Sequence, residues 1–129
     1  MKTTFLTMII LLLLATACSP APSDMLVLTE KDEGTTVEVQ QGQIFQVTLQ
    51  GNMTTGYNWI VAPLDPAILE VQGDPEFKPD SNLVGSPGTI SYKFKALSTG
   101  EVTLHLDYQR PWEETIPPEK TYEVTIIVK

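Results

Sequence analysis

Regular alternation of apolar and polar residues is the feature of this sequence that most restricts its fold. In residues 90–96, apolar side chains occupy every second position, and Ser91, Lys93 and Lys95 lie between them. Successive side chains of a β-strand point to opposite faces of a sheet, so the pattern predicts a strand with one buried face. After the first 24 residues, no segment repeats its apolar residues with a helical period over a useful length. We therefore expect an all-β protein.

The same period of two recurs along the chain and predicts about eight strands. Glycine, proline and asparagine separate the alternating segments, as is typical of turns between strands. Eight short strands with one buried face each favour an immunoglobulin-like sandwich of two packed antiparallel sheets. The predicted strands are residues 25–28, 36–40, 44–49, 58–61, 68–71, 90–96, 102–108 and 122–128.

The N-terminal residues carry the pattern of an export signal. Residues 1–17 contain one basic residue, Lys2, and then an apolar run at 5–14 that is too short to span a bilayer, which is typical of a secretory signal peptide. Cys18 is the only cysteine, and with the small residues at 15–17 before it, it resembles a bacterial lipobox. The resemblance implies that Cys18 is lipidated after cleavage. An ordinary cleavage site with an incidental cysteine is the alternative.

Three units follow from these signals. Residues 1–17 are the predicted signal peptide, residues 18–24 are a lipidated cysteine with a flexible proline-rich tether, and residues 25–129 are one β-sandwich domain. Several buried acyl chains give stable membrane anchoring, so we expect the protein in the cell envelope, attached through Cys18. If the host is Gram-negative, Ser19 after the cysteine implies sorting to the outer membrane.

Charge and cysteine content exclude several kinds of partner and cofactor. The chain has 8 basic and 16 acidic residues, and loss of Lys2 with the signal peptide leaves 7 against 16, a net charge of −9. Binding to nucleic acid requires clustered lysine and arginine, so we expect no nucleic-acid partner. A single cysteine excludes an internal disulfide and any zinc site with two thiolates.

The sequence offers no catalytic or metal site. His105 is the only histidine, and its alternation with apolar neighbours places it on the polar face of its strand with Thr103 and Asp107. We expect a solvated imidazole, because no serine or cysteine nucleophile is placed to use it as a base. No cluster of residues completes a metal site around it. We therefore predict a binding protein without a cofactor, not an enzyme.

Three connections on one side of the predicted sandwich have unusual composition. Antiparallel neighbours reverse direction, so the connections after the strands at 44–49, 68–71 and 102–108 should emerge at one pole. These are called the BC, DE and FG loops, and they contain residues 51–57, 84–88 and 109–114. The connections at the other pole, residues 63–66 and 97–100, are ordinary turns. Glycine in the first two loops permits close backbone approach, and Arg110 and Trp112 are residue types enriched in interface hot spots.

Each loop also has a simpler interpretation. The BC loop can be a hairpin loop without a partner, and the DE loop can be only a tight turn. Trp112 can fold back over the open end of the core with Arg110 stacked on it. An aromatic platform for sugars, with Glu113 and Glu114 beside the ring, is a further alternative. These interpretations fit a structural or adhesive envelope lipoprotein domain that binds a protein or glycan.

The three loops together resemble the chagasin family, the amoebiasin-like inhibitors of papain-type cysteine proteases. That family carries Asn-Pro-Thr-Thr-Gly-aromatic in the BC loop, a glycine-rich segment in the DE loop and Arg-Pro-Trp in the FG loop. This chain has the same motifs in the same order, at residues 52–57, 85–88 and 110–112. Met53 replaces the proline of the first motif, and Pro87 replaces a glycine of the second. Both replacements bear on potency more than on the class of protein.

The resemblance implies a reversible, competitive, tight-binding inhibitor of papain-like cysteine proteases, either a cathepsin L-type enzyme or a bacterial homologue. It also implies that the three loops enter the protease cleft, so that one copy of the domain suffices and a monomer is expected. The residues that the resemblance assigns to the protease contact are Asn52, Met53, Thr54, Thr55, Gly56, Tyr57, Gly85, Ser86, Pro87, Gly88, Arg110, Pro111 and Trp112.

Overall fold

Nine strands in two sheets make up the protein between residues 24 and 129, the part of the chain that a computed structural model describes. The predicted signal peptide, Cys18 and residues 19–23 of the predicted tether lie outside the described residues. The prediction of an all-β sandwich is confirmed. The strands are β1 (Leu26–Leu28), β2 (Thr36–Val39), β3 (Ile44–Gly51), β4 (Asn58–Val61), β5 (Leu69–Val71), β6 (Glu76–Pro79), β7 (Gly88–Ala96), β8 (Gly100–Gln109) and β9 (Lys120–Val128).

Each sheet is built around two long neighbouring strands, β3 and β7 in one and β8 and β9 in the other. The five-stranded sheet has the order β1-β3-β7, and β5 and β6 both pair with the far side of β7. The four-stranded sheet has the order β2-β9-β8-β4. The alternating residues of both sheets point inward, and Phe45, Phe94, Leu104 and Ile126 are completely inaccessible to solvent. Burial of this apolar layer between two sheets is the main source of stability, since no disulfide is available.

Two edge pairs differ from the prediction of purely antiparallel sheets. β1 pairs with β3 in parallel, and β2 pairs with β9 in parallel. The cause is the path of the chain. β1 runs in the same direction as β3, and β2 runs in the same direction as β9, so each N-terminal strand adds to the edge of its sheet in parallel. The prediction of antiparallel pairing is therefore wrong at both N-terminal edges and correct at the remaining pairs.

One strand, β6, was not predicted from the sequence. It covers Glu76–Pro79 and pairs with the first residues of β7, in register with Gly88 at one end and Ser91 at the other. A strand of four residues that ends in proline, with only Phe77 half-buried, lacks the alternation on which the predictions depend. Proline is tolerated there because β6 is an edge strand.

Helical structure in the described part of the chain consists of two single turns of 3₁₀-helix, Glu30–Asp32 and Met53–Thr55. The first joins β1 to β2, and the second lies in the BC loop. Among residues 24–129 there is no helix with the length and apolar character needed to cross a membrane.

Candidate functional site

The BC, DE and FG loops meet at one pole of the sandwich. The last residue of β3, Gly51, is in register with Gly88 at the start of β7, so the BC and DE loops leave the five-stranded sheet side by side. In the other sheet Asn58 is in register with Gln109, which places the end of the BC loop beside the start of the FG loop. The BC loop thus lies between the other two and bridges the two sheets.

The BC loop is ordered by its own hydrogen bonds. Asn52 caps the 3₁₀ turn: its side-chain oxygen accepts hydrogen bonds from the Thr54 amide at 3.1 Å and the Thr54 hydroxyl at 2.6 Å. The Thr55 hydroxyl donates to the Asn52 carbonyl at 2.7 Å. Gly56 ends the turn with φ of +83°, a conformation that favours glycine. Met53, at the position of the family proline, is the first residue of this turn, so hydrogen bonds restrain the backbone where a proline ring would.

Arg110 joins the FG loop to the BC loop. Its Nε donates a hydrogen bond to the Thr55 carbonyl at 3.1 Å, and its guanidinium carbon lies 4.6 Å from the centre of the Tyr57 ring. Tyr57 stacks in turn on Tyr108 of β8, with ring centres 5.2 Å apart. A third contact, from Nη1 of Arg110 to the Glu113 carboxylate at 3.3 Å, links two residues within the FG loop. The guanidinium therefore fixes the relative positions of both loops, by a planar geometry that lysine cannot reproduce.

Trp112 projects from the pole. It is 68% exposed, yet its ring lies against Gly56 so closely that an added β-carbon would sit 2.4 Å from its Cη2 atom. The interpretation in which Trp112 folds back over the core beneath Arg110 is not what the structure has, because Arg110 stacks on Tyr57 instead. Pro111 beside it is also exposed. A large aromatic surface is thus held in place and left open to solvent.

The DE loop is connected to the BC loop through Asn52, whose side-chain amide donates to the Gly85 carbonyl at 3.1 Å. Gly85 has φ of +79° and its side of the loop is open. Ser86 is buried, and its hydroxyl accepts a hydrogen bond from the Ser81 amide. Pro87 is exposed and its carbonyl accepts a hydrogen bond from the Asp80 amide. Gly88 is buried against the Lys78 carbonyl.

The predicted contact residues therefore fall into two groups. Exposed residues that present a surface are Met53, Thr54, Thr55, Gly85, Pro87, Pro111 and Trp112. The others are buried or half-buried within the pole: Asn52, Gly56, Tyr57, Ser86, Gly88 and Arg110. The second group orders the loops, and the first group is the more exposed to a partner.

Two exposed apolar residues at the start of the DE loop were not assigned to the site from the sequence, namely Val84 in the loop and Leu83 immediately before it. Leu83 is 78% exposed and Val84 is fully exposed, immediately before Gly85. Exposed apolar side chains that adjoin one another are a sign of an interaction surface. The signal was present in the sequence as an apolar pair inside a segment rich in serine, glycine and proline, but such a pair is equally compatible with the start of a strand.

His105 lies away from this pole, on the outer face of the four-stranded sheet. Its two ring nitrogens contact Asp107 at 2.9 Å and Glu123 at 3.1 Å, and the side chain is about one third exposed. The hydrogen bond to Asp107 raises the pKa of His105 above its usual value. The imidazole is therefore paired and not simply solvated as expected. Within residues 24–129 no group of three potential ligands is arranged to hold a metal ion.

Comparisons with known proteins agree on one family. The family model described as chagasin family peptidase inhibitor I42 matches residues 38–126, which include all three loops. Amoebiasin-2 from Entamoeba histolytica is 28% identical over 119 residues, covering 89% of this chain and 94% of that protein. Chagasin from Trypanosoma cruzi is 29% identical over 108 residues, covering 79% and 94%.

The fold is also shared with solved structures. The crystal structure of a cysteine protease inhibitor from Entamoeba histolytica has a TM-score of 0.71 and 26% sequence identity to this chain. The alignment covers 81% of this chain and 96% of the amoebic inhibitor. The structural similarity therefore extends over most of the length of both chains.

Proposed function

The chain belongs to the chagasin family of peptidase inhibitors, which are not enzymes, and from this premise we propose that it inhibits papain-like cysteine proteases. In this proposal inhibition is reversible, competitive and tight, and the BC, DE and FG loops fill the substrate cleft. The target is a cathepsin L-type enzyme or a bacterial homologue. The known relatives that carry the name of cysteine protease inhibitor support this class of target.

The observation that carries the proposal is the combination of order and exposure at one pole. Hydrogen bonds from Asn52 to Gly85 and from Arg110 to Thr55 tie the three loops together before any partner binds. Trp112 and Val84 nevertheless remain exposed. Pre-organised loops lose little conformational entropy on binding, so exposed apolar groups on them can contribute most of their burial energy to affinity.

The BC loop is assigned to the centre of the cleft, with Thr54 beside the catalytic cysteine and histidine of the protease. Thr54 is exposed at the tip of the 3₁₀ turn, and its hydroxyl is held by Asn52. A compact turn does not offer an extended peptide bond in line for attack by the thiolate. Inhibition would therefore proceed without cleavage or covalent capture of the inhibitor.

The two outer loops are assigned to opposite walls of the cleft. Trp112 and Arg110 would lie on the primed side, where the exposed indole can pack on an apolar protease surface. The DE loop would line the other wall with Gly85, Pro87 and the apolar pair Leu83 and Val84. An interface of standard size, about 1,600 Å² in total, is enough for nanomolar affinity when the loops are pre-organised.

We further propose that the mature protein is a monomer, held in the cell envelope by acyl chains on Cys18. The lipobox-like residues before Cys18 support the anchor, and Ser19 supports the outer membrane if the host is Gram-negative. Attachment to the producing cell favours a role in restraining proteases close to that cell.

Complex formation with papain tests this function. The mature domain, residues 19–129, should co-elute with active papain in a stoichiometric complex during size-exclusion chromatography. Papain whose active-site cysteine carries a bulky covalent blocker should form no complex, because the cleft is occupied. Equal binding to the blocked enzyme would place the contact outside the cleft and contradict competitive inhibition.

A further inference from the structure

We propose that the outer face of the five-stranded sheet, at the end farthest from the three loops, rests on the phospholipid surface to which Cys18 is anchored. This inference depends on the lipid anchor of the preceding section and does not depend on protease inhibition. It assigns a partner to a surface patch that the inhibitor function does not use.

The patch consists of the exposed apolar side chains Met25, Val27 and Ile44. They are 47%, 45% and 42% exposed, respectively. Val27 points outward because its neighbour Leu28 is buried, and Ile44 points outward because the next residue of β3 is buried. The parallel pairing of β1 with the first residues of β3 brings the three side chains to one corner of the sheet.

Basic residues lie beside this patch on the same face. Lys95 is in register with Ile44, and Lys93 with Gln46, on the neighbouring strand β7. Phe94 between the two lysines is buried, so both lysines point outward with Ile44. Apolar side chains flanked by lysine are suited to an interface with anionic headgroups, where each lysine is attracted to the surface charge. Glu70 is exposed on the same face and in register with Lys95 on the other side of β7, so it offsets the charge of Lys95. Lys93 and the three apolar side chains therefore carry most of the expected attraction to lipid.

The path of the chain leads from the anchor to this corner. Only residues 19–23 separate Cys18 from Asp24, and six residue steps span at most about 22 Å even when fully extended. The first strand, β1, then begins beside Met25. The domain must therefore remain within a short distance of the lipid, which gives even a weak patch a high effective concentration of its partner.

This orientation has a consequence for the inhibitor site. β3 starts at Ile44 in the patch and ends at Gly51 beside the loops, and its eight residues span about 25 Å. A domain that rests on the patch holds its BC, DE and FG loops away from the bilayer. The loops would then be accessible to proteases that arrive from the aqueous phase.

The lipid surface is a better occupant of the patch than the other candidates on the molecule. Residues 19–23 consist of serine, proline and alanine, and they offer little apolar area to cover three side chains. A second copy of the domain would bring Lys93 and Lys95 close to their own equivalents if the patches met face to face. Anionic lipid satisfies both the apolar and the basic part of the patch.

A fluorescence experiment on the lipidated full-length protein tests the orientation. The native cysteine is consumed by the lipid, so a cysteine introduced by Val27→Cys can be labelled with an environment-sensitive fluorophore. The matched control is Val84→Cys, an exposed valine at the loop pole. Each labelled protein is reconstituted in vesicles of phosphatidylethanolamine and phosphatidylglycerol that contain nitroxide-labelled lipid. We expect a blue shift and quenching at position 27, and neither effect at position 84.

Further readouts separate the possible outcomes. Adding Ile44→Asp to the protein labelled at position 27 should abolish the shift and the quenching. The same protein on the same vesicles should still inhibit papain. A label at position 27 that behaves like the one at position 84 overturns the proposal. A blue shift that grows with protein density but shows no quenching by lipid overturns it in favour of self-association. An unmodified Cys18 in the mass spectrum overturns the membrane contact and leaves the papain assay as an independent test of inhibition.

Discussion

The indole of Trp112 occupies the space beside Gly56 where a side chain would begin, so that a β-carbon added to this glycine would meet Cη2 at 2.4 Å. The contact joins the FG loop to the BC loop without burying the tryptophan, which stays 68% exposed. The contact is a second reason, beside the positive φ, why this position requires glycine. The exposed aromatic surface and the turn at the centre of the pole are thus one structural unit, and several expected outcomes follow from that arrangement.

Replacement of Trp112 by alanine should weaken inhibition of papain by about 2 kcal/mol, or roughly 30-fold, if the indole is an interface hot spot. The thermal midpoint should stay nearly unchanged, because the side chain is mostly exposed. Inhibition constants and thermal unfolding of both proteins provide the measurement. An unchanged inhibition constant would show that the tryptophan does not contact the protease.

Gly56→Ala should weaken both the fold and the inhibition. The left-handed backbone conformation costs a non-glycine residue about 1–2 kcal/mol, and the new methyl group collides with the Trp112 ring. Displacement of the indole should therefore raise the inhibition constant as well. Gly34→Ala is the matched control for backbone strain alone, since it also has positive φ but open space around it. Equal inhibition constants for the two variants would argue against the Trp112 contact.

Arg110→Lys keeps the charge but loses the Nε hydrogen bond to Thr55 and the planar stacking on Tyr57. We expect inhibition to weaken by about 1.5 kcal/mol, the lower end of what a hydrogen bond with a charged group contributes, because this one is partly exposed. Lys129→Ala, at the opposite pole and paired with Glu38, controls for loss of a basic residue in general. If Arg110→Lys inhibits as well as the wild type, the arginine does not organise the loops.

Val84→Asp should reduce affinity for the protease without reducing stability. The wild-type valine is fully exposed, so the folded domain loses no packing, whereas a carboxylate in an apolar contact must be desolvated. The same substitution at Val27 places the same charge on an exposed valine of the opposite pole and should leave inhibition by the soluble domain intact. Titration calorimetry with papain measures both. Equal affinities would remove the apolar pair of the DE loop from the interface.

The pairing of His105 should make stability depend on pH. Asp107 and Glu123 raise the pKa of His105 in the folded state, mainly through the hydrogen bond that the imidazole donates to Asp107, so the protonated imidazole stabilises the fold. This contribution is fully present below the ordinary pKa of 6.5 and is lost as pH rises through the higher folded-state value. In urea unfolding, His105→Gln should therefore lose stability only on the acidic side of that range. A loss of equal size on both sides would contradict charge pairing.

The sequence predicted the strands better than it predicted how they pair. Alternation identified every strand except β6, whose Glu76–Pro79 segment has no clear period and takes its conformation from the neighbouring β7. Parallel pairing of β1 with β3 depends on contacts between distant segments, which local alternation does not contain. The conformation of Arg110 was likewise not predictable: the sequence left stacking on Trp112 as one alternative, whereas in the structure Arg110 lies over the ring of Tyr57, which stacks on Tyr108.

The sequence likewise identified the loops of the site better than it identified the role of each residue in them. The motifs identified which loops are unusual, because residue types such as tryptophan and paired glycines are visible in the sequence. They could not separate residues that point outward from those that point inward. Ser86 is buried by hydrogen bonds within the DE loop, and Leu83 is exposed although it is apolar. Both outcomes are set by the fold of the loop as a whole.

Steady-state inhibition of papain by residues 19–129, with trypsin as the control enzyme, tests the central claim most directly. The account predicts dose-dependent, competitive inhibition of papain, no inhibition of trypsin, and recovery of the inhibitor without a cleaved bond. Absence of inhibition of papain and of a cathepsin L-type enzyme at micromolar concentrations, by protein shown to be folded, would contradict the claim. The same pole would then have to be assigned to a structural or adhesive partner.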